Sequence, residues 1–335
     1  RRWQKARRDG GVVTLSAGAR IGHPETFASR PFSPKIQAHR PMTRHPIYLF
    51  IARRAQALAI LSLIGATLGA LGNFHWIAEL FSHFWAWYGA FFALAALFAR
   101  SHRQCLAWLI PALFAAYWLF TPVSVAVSAQ HTQRALWYNV NLDNPNPAAE
   151  IALIQQHSPD LIALAEINLD DPRWQPLKQA YPHGCQHQES SPFALALWSK
   201  TPLQSCHISY INHIPLIRAQ LPNGTALYAL HPPPPINAEL AQTRLDYLHH
   251  AAAQIARENS VLVLGDLNAT PFSPVFRDFI ATAGLHNAMT NITPTWFLFG
   301  LHLDHALHRQ AGNVQTTALP WGESDHRALL IERQF

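Results

Sequence analysis

Charge is what this sequence has least of: Asp, Glu, Lys and Arg make up 13% of its 335 residues, against about 25% in an ordinary water-soluble domain. With 11 Trp present as well, that scarcity argues against a hydrophilic surface along the whole chain and fits a protein partly dissolved in lipid. Charge of one sign is also missing regionally. Residues 1–44 hold ten basic and two acidic residues, whereas residues 130–335 hold eleven basic against sixteen acidic. The formal +6 is therefore no property of the C-terminal part, which lacks the Lys/Arg excess that a nucleic-acid-tracking face requires.

An N-terminal Met is lacking too. Residues 1–41 have no sustained hydrophobic period and read as a basic disordered tail, or as a start-site artefact with Met42 as the natural start. Segment 1–45 is set aside from fold reasoning. Three apolar runs follow, at about 55–72, 80–99 and 105–128. Each approaches the roughly 20 residues that cross a bilayer, so residues 46–129 are expected to form a three-helix transmembrane bundle. Gly65 and Gly69 form a small-xxx-small pair suited to helix packing or dimerisation. His75 and Glu79 read as part of a short interfacial turn. Arg53 and Arg54 precede the first span, Arg100 and Arg103 lie between the second and third, and the first connection, 73–79, has neither Lys nor Arg. The positive-inside rule then puts the N-terminus in the cytoplasm and residues 130–335 on the far side of a bacterial inner membrane, in the periplasm.

From Arg134 the pattern changes to short strands alternating with helices. Strands are expected near 135–141, 160–167, 193–199, 203–210, 214–221, 225–231, 301–308 and 327–333, with helices near 148–157, 236–255 and 273–283. The run Val261-Leu262-Val263-Leu264-Gly265-Asp266-Leu267-Asn268 reads as a buried strand that delivers two polar side chains to one side of a sheet rim, with Gly265 permitting a close backbone approach to a ligand. Cys185 and Cys206 would meet an oxidising compartment. Placed opposite Ala196 on flanking strands, however, they would stand two strand spacings or about 9.6 Å apart, too far for a disulfide. Cys105 falls in an apolar run.

Polar residues recur at the ends of the predicted strands: Asn139 and Asn141, Glu166, His231, Asp266 and Asn268, Asp304 with His305, and Asp325 with His326. Any one of them could merely cap a turn. Gathered together, the carboxylates would demand a cation.

The strings Trp137-Tyr-Asn139-Val-Asn141, Ala165-Glu166-Ile167, Trp198-Ser-Lys-Thr-Pro202, His231, Gly265-Asp-Leu-Asn268, Thr293-Pro-Thr-Trp296, Leu303-Asp-His305 and Ser324-Asp-His326, in this order, resemble the endonuclease/exonuclease/phosphatase superfamily. Its membrane-anchored bacterial members are the nearest in character. The resemblance spans residues 134–331 and implies an α/β fold, a four-layer DNase I-like sandwich, for the domain 130–335. It implies a hydrolase of phosphate esters, in the phosphodiesterase sense of cleaving a diester, that depends on Mg²⁺ or Mn²⁺. Glu166, Asn139, Asn141 and Asp325 are then the metal set, and Asp266 addresses the attacking water. Asn268, His231 and His326 hold the phosphate, with His326 oriented by Asp304. Ala165 stands where many relatives have Gln, and Asn141 where some nucleases have Asp, which leaves fewer anionic ligands. The implied substrate is an envelope lipid head group, a small phosphodiester or a nucleic acid, and the implied partner of the N-terminal helices is the lipid bilayer. No protein partner is inferable. A nuclease, or an inactive binding module that keeps the fold, are the alternatives.

Overall fold

The computed structural model describes residues 45–120 and 132–334. Helix α1, Pro46–Ala70, is capped by the His45 ring and leads through a turn to α2, Trp76–Leu80. A 3₁₀ turn, Phe81–Phe84, joins α2 to α3, Trp85–Leu97, and α4 is His102–Leu119. The small pair predicted to pack helices does so within the chain. A Cβ on Gly65 would strike the Tyr88 ring of α3, and one on Gly69 would come within 2.8 Å of the Ser82 backbone.

The expected third span is not met. Among the described residues, two helices, Pro46–Ala70 and Trp76–Leu97, are long and apolar enough to cross a membrane. The third is shorter than expected: α4 stops at Leu119, begins with His102, Arg103 and Gln104, and carries Pro111 inside. The rest of the predicted span, 121–128, lies outside the described residues, as do the N-terminal tail and Met42.

The remaining chain folds as two six-stranded sheets. The first runs in the order β11-β12-β1-β2-β4-β3, where β1 is Thr132–Asn139, β2 Leu161–Ala165, β3 His183–His187, β4 Leu195–Ser199, β11 Asn313–Ala318 and β12 Leu329–Gln334. The second runs β5-β6-β7-β8-β10-β9, with β5 Ser205–Ile211, β6 Ile214–Gln220, β7 Ala226–Leu230, β8 Val261–Asp266, β9 His286–Asn287 and β10 Asp304–Arg309. Each sheet has one parallel pair, β1/β2 and β7/β8, created by a helical crossover. Strand alternation sorts the side chains into layers. On β8, Leu262 and Leu264 face the other sheet in a core shared with Trp137, Leu197 and Ile217. Val261 and Val263 face α7, Ala238–Ile255, and α8, Pro274–Ala283. Helices α5, Pro147–His157, and α6, Gln175–Ala180, cover the first sheet over Leu136, Ile162 and Leu164. The result is helix, sheet, sheet, helix.

Two expectations are corrected here. Cys185 and Cys206 form a disulfide, with Cα atoms 5.9 Å apart. The chain changes sheets between β4 and β5, so the two cysteines meet face to face across the sandwich, not two strands apart in one sheet. Closing this loop stabilises the fold by about 3 kcal/mol. Gly265 does give a close approach, but to the neighbouring strand: a Cβ there would strike the Leu230 carbonyl of β7.

Candidate active site

The central strands of both sheets end at one rim of the sandwich, and each ends on a polar residue or is followed directly by one, where its apolar run stops. Asn139 closes β1 and is fully buried; its Nδ2 donates to Glu166 Oε1 at 2.8 Å and to Asp266 Oδ2 at 3.2 Å. Glu166 follows β2 with φ 55°, and Asn141 follows β1 with φ 58°. The Asn141 N–H donates to Asn139 Oδ1, while its own Oδ1 accepts from the Asp143 N–H. Asn141 therefore borders the Glu166 side of the rim through its backbone.

His231, directly after β7, places Nε2 3.6 Å from Glu166 Oε1 and 3.8 Å from Asp266 Oδ2. Asp266, the last residue of β8, is 2% exposed, and its Oδ1 accepts the Asn268 N–H at 2.9 Å. Asn268, at φ 48°, donates Nδ2 to the Pro232 carbonyl. Its own carbonyl accepts from Arg244 Nη1 on α7 at 2.6 Å. Opposite, His326 Nδ1 lies 2.7 Å from Asp304 Oδ2, and His326 Nε2 lies 3.6 Å from Asp266. The Asp325 carboxylate accepts from Trp296 Nε1 at 2.9 Å, on the His326 side.

Of the predicted residues, then, Asn139, Glu166, His231, Asp266, Asp304 and His326 converge, with Asn268 and Asn141 adjoining and Asp325 at the flank. Supporting residues went unassigned at the level of sequence. Trp137 Nε1 donates to Asp304 Oδ1 at 2.8 Å, across the two sheets. Thr295 Oγ1 accepts the backbone N–H groups of Leu303 and Asp304. Ser324 Oγ donates to the Asn139 carbonyl and accepts from the His326 N–H. The tryptophans belong to the strings that carry the family resemblance, but nothing in one dimension shows that each aims its indole N–H at a carboxylate.

Burial disfavours charge on His326, yet the carboxylates of Asp304 and Asp266 outweigh it and push the imidazole well up from its usual range, so the ring is cationic at neutral pH. Burial shifts Asp266 in the direction of the neutral acid; His326 opposes that shift and Asp304 adds to it. A carboxylate raised above its usual range beside a fixed imidazole is an arrangement for moving a proton.

Donor chemistry at the rim also suits a divalent cation. Glu166, His231 and Asp266 offer atoms within 4.8 Å of one another, as do Asp266, Asp304 and His326. Between Glu166 and Asp266 the Asn139 amide N–H₂ donates to both carboxylates, with His231 Nε2 close to each. Rotating that carboxamide would present an oxygen instead, completing the oxygen-rich set that hard cations prefer.

The sequence profile of the Endonuclease/Exonuclease/phosphatase family matches residues 136–326. No curated protein matches the chain. Among solved structures the chain is similar to sphingomyelinase C from Streptomyces griseocarneus, at 17% identity and a TM-score of 0.49, covering 61% of this chain and 100% of that one. It is similar as well to a 3′-5′ exonuclease from Neisseria meningitidis, at 17% identity and TM-score 0.48, covering 61% and 100%. The human Nocturnin catalytic domain aligns at 15% identity and TM-score 0.49, covering 62% and 95%.

Proposed function

Because the chain belongs to the Endonuclease/Exonuclease/phosphatase family, a family of phosphate-ester hydrolases, we propose that it is a membrane-anchored, metal-dependent phosphodiester hydrolase whose domain 130–335 works outside the cytoplasm. The observation that carries this reading is the meeting of Glu166, Asn139, Asp266, His231 and the His326–Asp304 pair at one rim. Helices α1 and α2–α3 serve as the anchor, and the Arg53/Arg54 and Arg100/Arg103 pairs set its orientation. The Cys185–Cys206 disulfide agrees with an oxidising compartment.

Glu166 and Asn139 would hold Mg²⁺ or Mn²⁺, with Asn141 beside them and Asp325 on the His326 flank. When bound, the cation neutralises charge on a phosphate oxygen and on the departing alkoxide. The protein's own groups divide the remaining work. Asp266 orients the attacking water and accepts its proton. Asn268 and His231 hold the non-bridging oxygens, and the His326 imidazolium, fixed by Asp304, stabilises charge as it grows on the phosphorane-like transition state. Water adds to phosphorus with its proton passing to Asp266, the far P–O bond breaks, and the departing alkoxide takes a proton from solvent, so the products are a phosphomonoester and an alcohol, with no covalent enzyme intermediate.

The test is turnover of a bis-aryl phosphodiester by the full chain in detergent with Mg²⁺ or Mn²⁺. Wild type is expected to be active, with Glu166→Ala and Asp266→Asn each reduced at least 10²-fold. An inactive wild type, or variants as active as wild type, would refute the reading.

A further inference from the structure

The catalytic rim is the end of the sandwich that packs against the helices. Polar contacts between the helical segment and the C-terminal domain fall on segments next to the site: the loop after Asn268, the cap of α8, the stretch before β10, and Arg244 of α7, which itself holds the Asn268 carbonyl. Glu79 Oε1 accepts from Ser273 Oγ at 2.5 Å, and Glu79 Oε2 pairs with Arg244 at 2.7 Å. His83 Nδ1 meets Thr270 Oγ1 at 3.0 Å, two residues beyond Asn268. Trp87 Nε1 donates to the Phe299 carbonyl at 2.9 Å, and Asn291 Nδ2 donates to the Trp118 carbonyl at 3.0 Å. These partners lie near one end of the helices: residues 79–87 at the turn into α3, and Trp118 in the last turn of α4. Given the anchor proposed above, the site sits at the level where the helices leave the bilayer.

An apolar surface flanks the site at the same level. Phe297, Leu298 and Phe299 are 73%, 48% and 54% exposed, and Trp321, 43% exposed, meets Phe297 edge to face. This patch is continuous with the catalytic residues on one side, since Trp296 bonds Asp325 and its ring lies 6.3 Å from that of His326. On the other side it is continuous with the helices, through the Phe84–Phe299 contact at 5.5 Å and the Trp87 bond. Four large apolar side chains exposed in one patch are unfavourable in water, whereas aromatic residues are favoured at the headgroup level of a membrane.

We propose that the substrate is the head-group phosphodiester of a membrane lipid, met at the bilayer surface, and that Phe297, Leu298, Phe299 and Trp321 form the platform that enters that surface beside the scissile bond. This rests on the phosphodiesterase reading and adds the physical form of the substrate. A lipid needs to rise only partly from the bilayer to reach Asp266 and His326, while its acyl chains stay against the platform.

The test uses the full chain in nanodiscs of phosphatidylethanolamine and phosphatidylglycerol. Turnover of those lipids is compared with turnover of a bis-aryl phosphodiester in solution, for wild type and for the Phe297→Ser/Leu298→Ser variant. We expect release of a phosphorylated head group by wild type, and a fall of tenfold or more in the ratio of lipid to soluble turnover in the variant. A second readout needs no catalysis. A polarity-sensitive dye on Leu298→Cys, in a Cys105→Ser background, should be quenched by lipids brominated near the head group. Soluble turnover without lipid turnover, an unchanged ratio, or an unquenched dye overturns the proposal and leaves the phosphodiesterase reading standing. Absence of turnover on both substrates overturns both, and cleavage of single-stranded DNA in preference to lipid overturns the choice of substrate.

Discussion

Replacing Glu79 by alanine removes a carboxylate that is 1% exposed and holds three groups: the Arg244 guanidinium at 2.7 Å, the Ser273 hydroxyl at 2.5 Å and the His83 ring at 3.3 Å. Arg244 is equally buried, and its Nε already lacks a partner. Without Glu79 its charge would be left with the Asn268 carbonyl alone. Removing one partner of a buried ion pair costs about 3–5 kcal/mol, because the other charge stays behind uncompensated. For a body of this size that is a fall in Tm on the order of 10 °C. Glu79→Gln keeps the shape and one hydrogen bond, so it should cost roughly half as much. The double variant Glu79→Leu/Arg244→Met removes both charges and should be more stable than Glu79→Ala. Activity should fall as well, since Arg244 fixes the backbone of Asn268; a displacement of about 1 Å there lowers kcat by up to roughly 10²-fold. Thermal melts followed by Trp fluorescence in detergent, with kcat on a bis-aryl diester, check both outcomes. A Glu79→Ala protein that melts with wild type, or a double variant no more stable than Glu79→Ala, would refute the reasoning.

Acid should destabilise the protein through His302, whose burial holds its ring at about 4 in place of the usual 6.5. A histidine with a depressed folded-state pKa contributes fully above about 6.5; between there and about 4 the unfolded chain binds the extra proton, so about 3 kcal/mol is lost as pH falls through that window. Melts between pH 7.5 and 4.5 should show this slope, and His302→Gln should flatten it. Trp137→Phe removes the indole donor to Asp304 and should reduce kcat about tenfold at a stability cost of about 1–3 kcal/mol, read by steady-state kinetics and melting. Asp304→Asn should lower kcat at least 10²-fold and bring the alkaline limb of the pH–rate profile down, because His326 loses the carboxylate that most raises its pKa. Chelation should abolish turnover reversibly. Saturating Mg²⁺ or Mn²⁺, at about 100-fold over Kd, should stabilise wild type by about 2.7 kcal/mol and leave Glu166→Ala unmoved.

The residues at the rim were legible in one dimension because a buried strand announces itself as an apolar run, and the polar residue that breaks the run marks where the strand reaches the surface. Val261 to Asp266 is the clearest case. What escaped notice depends on closure between distant segments. The Cys185–Cys206 bridge follows from a change of sheets that short loops do not advertise. Glu79 read as part of an interfacial turn because its partner Arg244 lies 165 residues away on a helix with an ordinary amphipathic pattern. Strand β11, Asn313–Ala318, is a half-exposed edge with no apolar run to signal it.

Glu166, Asn141 and Asn268 have positive φ values of 55°, 58° and 48°. Asparagine enters that region cheaply, but a glutamate there costs about 1 kcal/mol or more, and this one also faces Asp266 across a single amide. Glu166→Gly would relieve both the torsion and the crowding and should leave a hardier protein with no catalysis. A screen that rewarded heat resistance alone would therefore tend to discard this glutamate, so its persistence in any stabilised descendant of the chain would report selection for chemistry and not for folding.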